Sequence, residues 1–266
     1  DLVRSRGLGD VYKRQALYYL LTSEHLYDRQ YEDREWYLCE WKANRQMYPP
    51  IKKQFGCISF DKGGYYCIRE KDTFSFIRCG RHKDRPAHAD NLHLDIWYQG
   101  ENCLFDGGSY KYNTTEKLLR YFMGTESHNT IMLEGHDQML KGDRFIWYNW
   151  SQAEWSSLKE TEDTYIFEGK VSCFTYLNKE IKHYRKIVKW KNTCKWEIED
   201  CIDGNPKNMN MRQLWHTNKD NLSLESNGET IDTEQLCSNY YGQTTKCRQI
   251  EFQTKNSSIK TILQFI

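Results

Sequence analysis

The sequence predicts a mainly β protein, a large antiparallel β-sandwich of stacked sheets preceded by a short helical segment. Three observations carry that class. From Ile51 onward, apolar and polar residues alternate with period two in many short runs. Turn residues punctuate these runs, as at Asp61–Gly64 and around Gln99–Asn102. Helix-forming composition is confined to Ala16–Met47, which lacks Gly and Pro and is closed by Pro49–Pro50.

Taken in order, "CISFDKGGYYCIRE" predicts a hairpin and "TFSFIRCG" a strand after it. "LHLDIWYQGENCLFDGG" predicts a second hairpin, with its turn centred between Gly100 and Glu101 and Asp106 opposite Asp95. Further strands are expected in "HNTIMLEG", "TYIFEGKV", "KEIKHYRKIVKW", "KWEIEDCID", "MRQLWHT", "NLSLES", "RQIEFQT" and "SIKTILQFI". Many short strands with little helix between them match two packed antiparallel sheets.

Composition removes several function classes. Lys and Arg number 38 against 37 Asp and Glu, so the basic excess of a nucleic-acid binder is missing. No apolar run reaches the roughly 18 residues of a membrane span. The 9 Trp and 19 Tyr suit strand packing first and sugar stacking second. Ten cysteines are scattered without a CxxC pair. Cys57, Cys67, Cys79 and Cys103 lie in strand-like runs and are expected to be thiols acting as small hydrophobes. A thiolate zinc site is not expected.

Residues 1–15, "DLVRSRGLGDVYKRQ", read unlike the rest of the chain. "DVYKRQ" back-translates as GAT GTG TAT AAG AGA CAG, which looks like the end of a transposon adapter, so these residues are expected to be an artefact and carry no fold reasoning. The expected organisation is then 16–50 as a helical segment and 51–266 as the β domain.

The stretch Arg85–Tyr112, "RPAHADNLHLDIWYQGENCLFDGGSYKY", concentrates chemistry. Imidazoles with a carboxylate are the set Zn²⁺ takes when no thiolate is offered. His88 and Asp106 bracket the hairpin, and His128 follows in "TESHNTIMLEG". A straight hairpin opposes this grouping. With Asp106 opposite Asp95, His88 lies seven residues further along, about 23 Å away at ~3.3 Å per residue, so the two meet only if the chain before Leu92 folds back or the hairpin is strongly bent.

"CGRHKDRPAHADNLHLDIWYQGENCLFDGGSYKY" followed by "RYFMGTESHNTIMLEGHDQ" resembles the C-terminal domain of the heparinase II/III-like family. His-Ala-Asp before an alternating strand, Asp-x-Gly-x-Tyr after the hairpin and Ser-His-Asn-Thr opening the next strand carry the resemblance. It is good over roughly Phe55–Trp190 and looser elsewhere. It implies an N-terminal α/α-toroid ahead of the β-sandwich, so that 16–50 would be a remnant of the toroid. It also implies β-elimination on uronic-acid-containing polysaccharides such as heparan sulfate or alginate. Zn²⁺ in a structural role would be held by His88, Asp106 and His128, with His136 as the fallback third ligand. The resemblance outweighs the objection from a straight hairpin.

One departure matters. Characterised lyases often have His-x-His at the start of this motif, and here the first position is Pro86. His82 is the nearest substitute. The residues doing acid/base work in the family come from the helical domain, so the chain as given is expected to be inactive alone. The expected partners are an acidic polysaccharide and the N-terminal helical domain. The alternative is a non-lyase relative serving in assembly or modification of a bacterial surface polysaccharide. A stand-alone sugar-binding sandwich is disfavoured by the helical lead-in. A lyase would be periplasmic or secreted, and a polysaccharide-locus protein cytoplasmic.

Asp90, Tyr110 and Arg185 are candidates for a substrate groove. Against this, Asp90 and Asp95 equally fit solvated strand positions, and Tyr110 and Tyr112 fit strand packing. Arg185 shares a strand face with His183 and Ile187, where a surface charge is the stronger expectation. Trp215–His216 reads as packing at the core edge.

Overall fold

The alternating stretches form strands that pair antiparallel throughout their sheets, as a computed structural model shows for residues 54–205 and 209–265. The helical segment expected over 16–50 and the first fifteen residues lie outside the described residues. Within the described residues, Phe55–Asn239 with Gln243–Ile266 makes one unit, and all elements below belong to it.

Five consecutive strands form a meander: β1 (Gly56–Phe60), β2 (Tyr65–Arg69), β3 (Thr73–Arg78), β4 (Leu94–Tyr98) and β5 (Glu101–Leu104). A six-stranded sheet has the order β14-β17-β12-β11-β10-β9. It uses β9 (Gln152–Glu160), β10 (Thr164–Ser172), β11 (Lys182–Trp190), β12 (Lys195–Asp203), β14 (Leu222–Ser226) and β17 (Ser258–Phe265). A four-stranded sheet, β15-β16-β13-β6, uses β6 (Ile131–Leu133), β13 (Met211–Thr217), β15 (Glu229–Cys237) and β16 (Thr245–Thr254). A two-stranded ribbon pairs β7 (Leu140–Lys141) with β8 (Trp147–Tyr148).

Alternation does in the fold what it does in the sequence. Along β11, β12 and β17 every second side chain is buried. One continuous core collects Ile68, Ile77 and Ile96 from the meander, Phe167, Ile187, Ile198 and Leu263 from the six-stranded sheet, and Trp215, Ile250 and Phe252 from the four-stranded one. Trp196 Nε1 donates across this core to Ser75 Oγ at 2.9 Å, so the one polar atom of that buried ring is satisfied. Cys57, Cys67, Cys79 and Cys103 are free thiols, as expected of small hydrophobes.

Two elements escaped the pattern. β9 lacks alternation because the register shifts opposite Lys170–Val171. β15 is a polar edge strand, exposed over most of its length. A helix, α1 (Glu116–Met123), was also not expected. It is capped by Thr115, whose side chain accepts from Leu118 N–H, and carries a Glu116–Arg120 pair one turn apart.

The second hairpin turns one residue earlier than expected. Tyr98 pairs with Glu101, so the two-residue loop is Gln99–Gly100, both at positive φ (50° and 82°), as a type I′ turn requires. A bulge next to Ile96 sets Leu104 opposite it, and the strand stops there. Asp106 therefore does not face Asp95.

Candidate metal site

The distance objection is met by the chain folding back before Leu92 and not by a bent hairpin: His88 is not on the strand. β4 begins at Leu94, and residues 79–93 form a loop that returns alongside it. Leu92, at φ 61°, donates its N–H to Arg78 O at 2.6 Å, and His93 N–H donates to Asp90 O at 3.1 Å. Asn91 fixes the loop: its Oδ1 accepts from Gly80 N–H (2.8 Å), its Nδ2 donates to Ser151 Oγ (2.8 Å), and its N–H reaches Gln138 Oε1 (3.0 Å). Ala89 packs with Met123, Met139 and Trp147 in a second small core, and donates its N–H to Met123 O at 2.9 Å. The loop is thus seated on α1 and β8 with His88 at its crest.

Asp106 follows β5 in a glycine-dependent turn. Its Oδ1 accepts the Gly108 N–H at 2.6 Å, and Gly108 sits at φ 87°. Gly107 passes so close to the next segment that an added Cβ would lie 2.8 Å from both Ser127 Cβ and Ser127 O. Its N–H donates to Ser127 O at 2.8 Å. Gly107 occupies the x of Asp-x-Gly, and this contact sets Asp106 beside the residue after Ser127, while the motif glycine itself, Gly108, supplies the positive φ of the turn. That residue is His128, fully buried at the end of a 3₁₀ turn (Thr125–Ser127).

The three side chains converge. His128 Nδ1 lies 2.9 Å from Asp106 Oδ2, and His128 Nε2 lies 3.3 Å from His88 Nδ1. One ligand atom from each of His88, Asp106 and His128 can be chosen such that all lie within 4.8 Å of one another. His136 is elsewhere, edge-on to Tyr176 at 6.1 Å, so the structure groups His128 and not the fallback. His82 is not in the group either, and Pro86 is buried.

Electrostatics separate the two imidazoles. Burial lowers the His88 pKa to about 4, with His128 pushing the same way, so near neutral pH the ring offers a lone pair. For His128 burial also opposes charge, yet the Asp106 carboxylate outweighs it and the pKa is raised. Asp106 is correspondingly held well below the usual carboxylate range: burial acts upward, and the charge of the neighbouring His128 prevails. His128 Nδ1 is fully buried and, although close to Asp106, lacks an aligned hydrogen bond. Two imidazoles and a carboxylate with a misaligned buried nitrogen between them suit a divalent cation better than they suit a closed hydrogen-bond network.

The groove candidates fare differently. Arg185 is a correction: it is fully buried and faces neither solvent nor a groove. Its Nε and Nη2 grip the two oxygens of Asp200 at 2.7 and 2.8 Å, and its Nη1 donates to Leu92 O and Asn129 O at 2.6 and 2.7 Å. Asp90 is not a solvated strand residue; it lies in the loop, nearly buried, with Oδ1 2.9 Å from Arg78 Nε. Tyr110 is half-buried against Phe122, with Lys111 Nζ 5.1 Å from its ring centre.

Asn129 and His216, beside the site, were not singled out for it by sequence reasoning, and His93 was noted only among the polar residues of the Arg85–Tyr112 stretch. Asn129, inside the Ser-His-Asn-Thr motif, bonds to His93, Leu94, Phe105 and His216. His93 Nδ1 accepts from the Asn129 N–H, which leaves its proton on Nε2, buried and without a hydrogen-bond partner. His216 is fully buried, with burial foremost in lowering its pKa to about 3. The available signal was proximity to the motifs, since polar residues in apolar strands need partners.

Residues 53–262 match the heparinase II/III-like, C-terminal family. The chain belongs to that family. Among solved structures, it is similar to heparan sulfate lyase HepC from Pedobacter heparinus, with a TM-score of 0.67 at 15% identity, over 85% of this chain and 39% of that one. It is also similar to a structure of Heparinase III, with a TM-score of 0.63 at 14% identity, over 82% of this chain and 38% of that one. At such identities the likeness is one of fold, and the chain spans about two-fifths of those proteins' length. No curated protein matches it.

Proposed function

We propose that this heparinase II/III-like domain is the C-terminal part of a polysaccharide lyase-like protein acting by β-elimination on uronic-acid-containing chains. We further propose that His88, Asp106 and His128 hold one Zn²⁺. The convergence of those three side chains carries the reading. When bound, the metal would cross-link the loop of residues 79–93, the turn after β5 and the 3₁₀ turn, a structural role, and it would require a deprotonated His128 nitrogen.

The chain's own residues then act as a wall. His88 and His128 would supply neutral nitrogens, Asp106 would neutralise charge, and the Gly107–Ser127 contact would keep the two turns together. β-Elimination needs a base for the proton α to the carboxyl and an acid for the departing oxygen. Neither role is assigned to this domain, and we place both on a helical N-terminal domain outside the described residues. Pro86 favours a second reading, a relative working in assembly or modification of surface polysaccharide, because no imidazole stands there.

The test is absorbance of the unsaturated uronate product on a panel of heparan sulfate and alginate. The 266-residue chain should give none, and a longer gene product carrying the helical domain should give product on at least one substrate. A folded longer product inert on the whole panel would turn the assignment to the second reading.

A further inference from the structure

We propose that Asn129 is the positioning residue of the metal site, setting its affinity and coordination geometry by joining the three segments that carry the ligands. This rests on the metal reading above.

Every polar atom of Asn129 is used, and each bond reaches a different part of the site. Its backbone N–H donates to His93 Nδ1 at 3.0 Å. Its Nδ2 donates to Leu94 O at 2.9 Å and to Phe105 O at 3.2 Å, so one amide group joins the start of β4 to the residue before Asp106. Its Oδ1 accepts from the N–H and Nδ1 of His216 at 2.8 and 3.0 Å, which anchors it to β13. Its carbonyl accepts from Arg185 Nη1 at 2.7 Å, the same nitrogen that holds Leu92 O at 2.6 Å. Asn129 itself follows His128 directly, so the ligand loop, the ligand turn and the third ligand meet at one buried residue, its backbone reaching the loop and its side chain reaching the start of β4 and the turn.

No other side chain type of this size does the work. The carboxamide must present two donors to two carbonyls on one side and an acceptor to two donors on the other. An Asp there would place an oxygen against Leu94 O and Phe105 O. A side chain without both functions would leave buried carbonyls unpaired and the turn before Asp106 untethered. Groups that orient ligands in this way change metal affinity about 10–100-fold when removed.

The experiment compares Co²⁺ and Zn²⁺ affinity and the Co²⁺ ligand-field spectrum of the chain with those of Asn129→Asp and Asn129→Ser. The core substitution Ile198→Ala, in β12, serves as the control for general destabilisation. The expected result is a loss of about 10–100-fold in affinity with an altered Co²⁺ spectrum in the Asn129 variants, and neither change in Ile198→Ala. Asn129→Ser adds no charge and carries the test if Asn129→Asp does not fold. Folded Asn129 variants that bind Co²⁺ as tightly as the parent, with the same spectrum, overturn the positioning role and leave the metal reading standing. Equal losses in Ile198→Ala also overturn it. A parent chain that binds no Co²⁺ or Zn²⁺ overturns both, and is distinguished by the parent's result alone.

Discussion

His88 contributes one of two imidazoles at the site and has no role in the main core, so its removal separates metal from fold. His88→Ala is expected to reduce zinc from about one per chain to none while the strand content by circular dichroism stays the same; mass spectrometry of purified protein reads the first. Retention of zinc would show that the metal sits elsewhere. Gly107 is the complementary case, where no ligand is lost. Gly107→Ala pushes a Cβ to 2.8 Å from Ser127 Cβ and O, so the turn bearing Asp106 must move. A cost of about 1–3 kcal/mol is expected from such overpacking, read by urea unfolding, together with weakened zinc retention. An unchanged midpoint would mean that the turn yields freely.

At the scale of elements, β11 and β12 carry a buried charge network around Arg185, the residue that sequence reading favoured as a surface charge. Arg185 and Asp200 are fully buried, and Asp200 also accepts from Gln213 at 2.6 Å and lies 2.7 Å from His183. Removing one partner strands the other. Arg185→Leu is expected to destabilise by about 3–5 kcal/mol, and a second change, Asp200→Leu, to recover part of that. Urea unfolding of the single and double variants measures both. A single variant as stable as the parent would mean that the pair contributes nothing. The same guanidinium holds Leu92 O and Asn129 O, so the network also ties the six-stranded sheet to the site loop. Period-two alternation correctly put Arg185 on one face with Ile187, but alternation does not say which face is covered.

For the whole molecule, burial of imidazoles sets an acid limit. The folded His216 pKa, about 3, lies below the ~6.5 of a solvated imidazole. The unfolded chain therefore takes up that proton first, and stability falls as pH drops from about 6.5 toward 3, by up to ~1.4 kcal/mol per pH unit for each such group. Asp200 adds a second window: its pKa is depressed in the fold, where burial is outweighed by Arg185 and His183. Its contribution is present above the ordinary carboxylate range and is lost as pH falls below it. Unfolding midpoints measured with a chelator present, so that metal release does not contribute, should decline steadily as pH falls below about 6.5, and more steeply below about 4 where Asp200 adds its share. A flat profile across both windows would contradict the burial of these groups.

Much was legible before folding. Strands such as β11, β12 and β17 announce themselves by alternation because one face of each is buried, and that pattern is local. The motifs at His88, Asp106 and His128 were legible too, as residue types in a known order. Besides α1 and the burial of Arg185, three things were not. β9 and β15 were hidden because a bulged strand and a polar edge strand owe their pairing to a neighbour and not to their own pattern. The hairpin register needed the positive φ of Gln99, which no residue preference demands. Above all, whether the chain before Leu92 folds back or the hairpin bends was open in the sequence, and the meeting of His88 with Asp106 and His128 also depended on Gly107 packing against Ser127. Residue order set the class of fold and named the residue types of the candidate site, since those follow from side-chain chemistry and local period. Tertiary packing alone decided which of them meet, because the contacts that join them are between segments far apart in the chain.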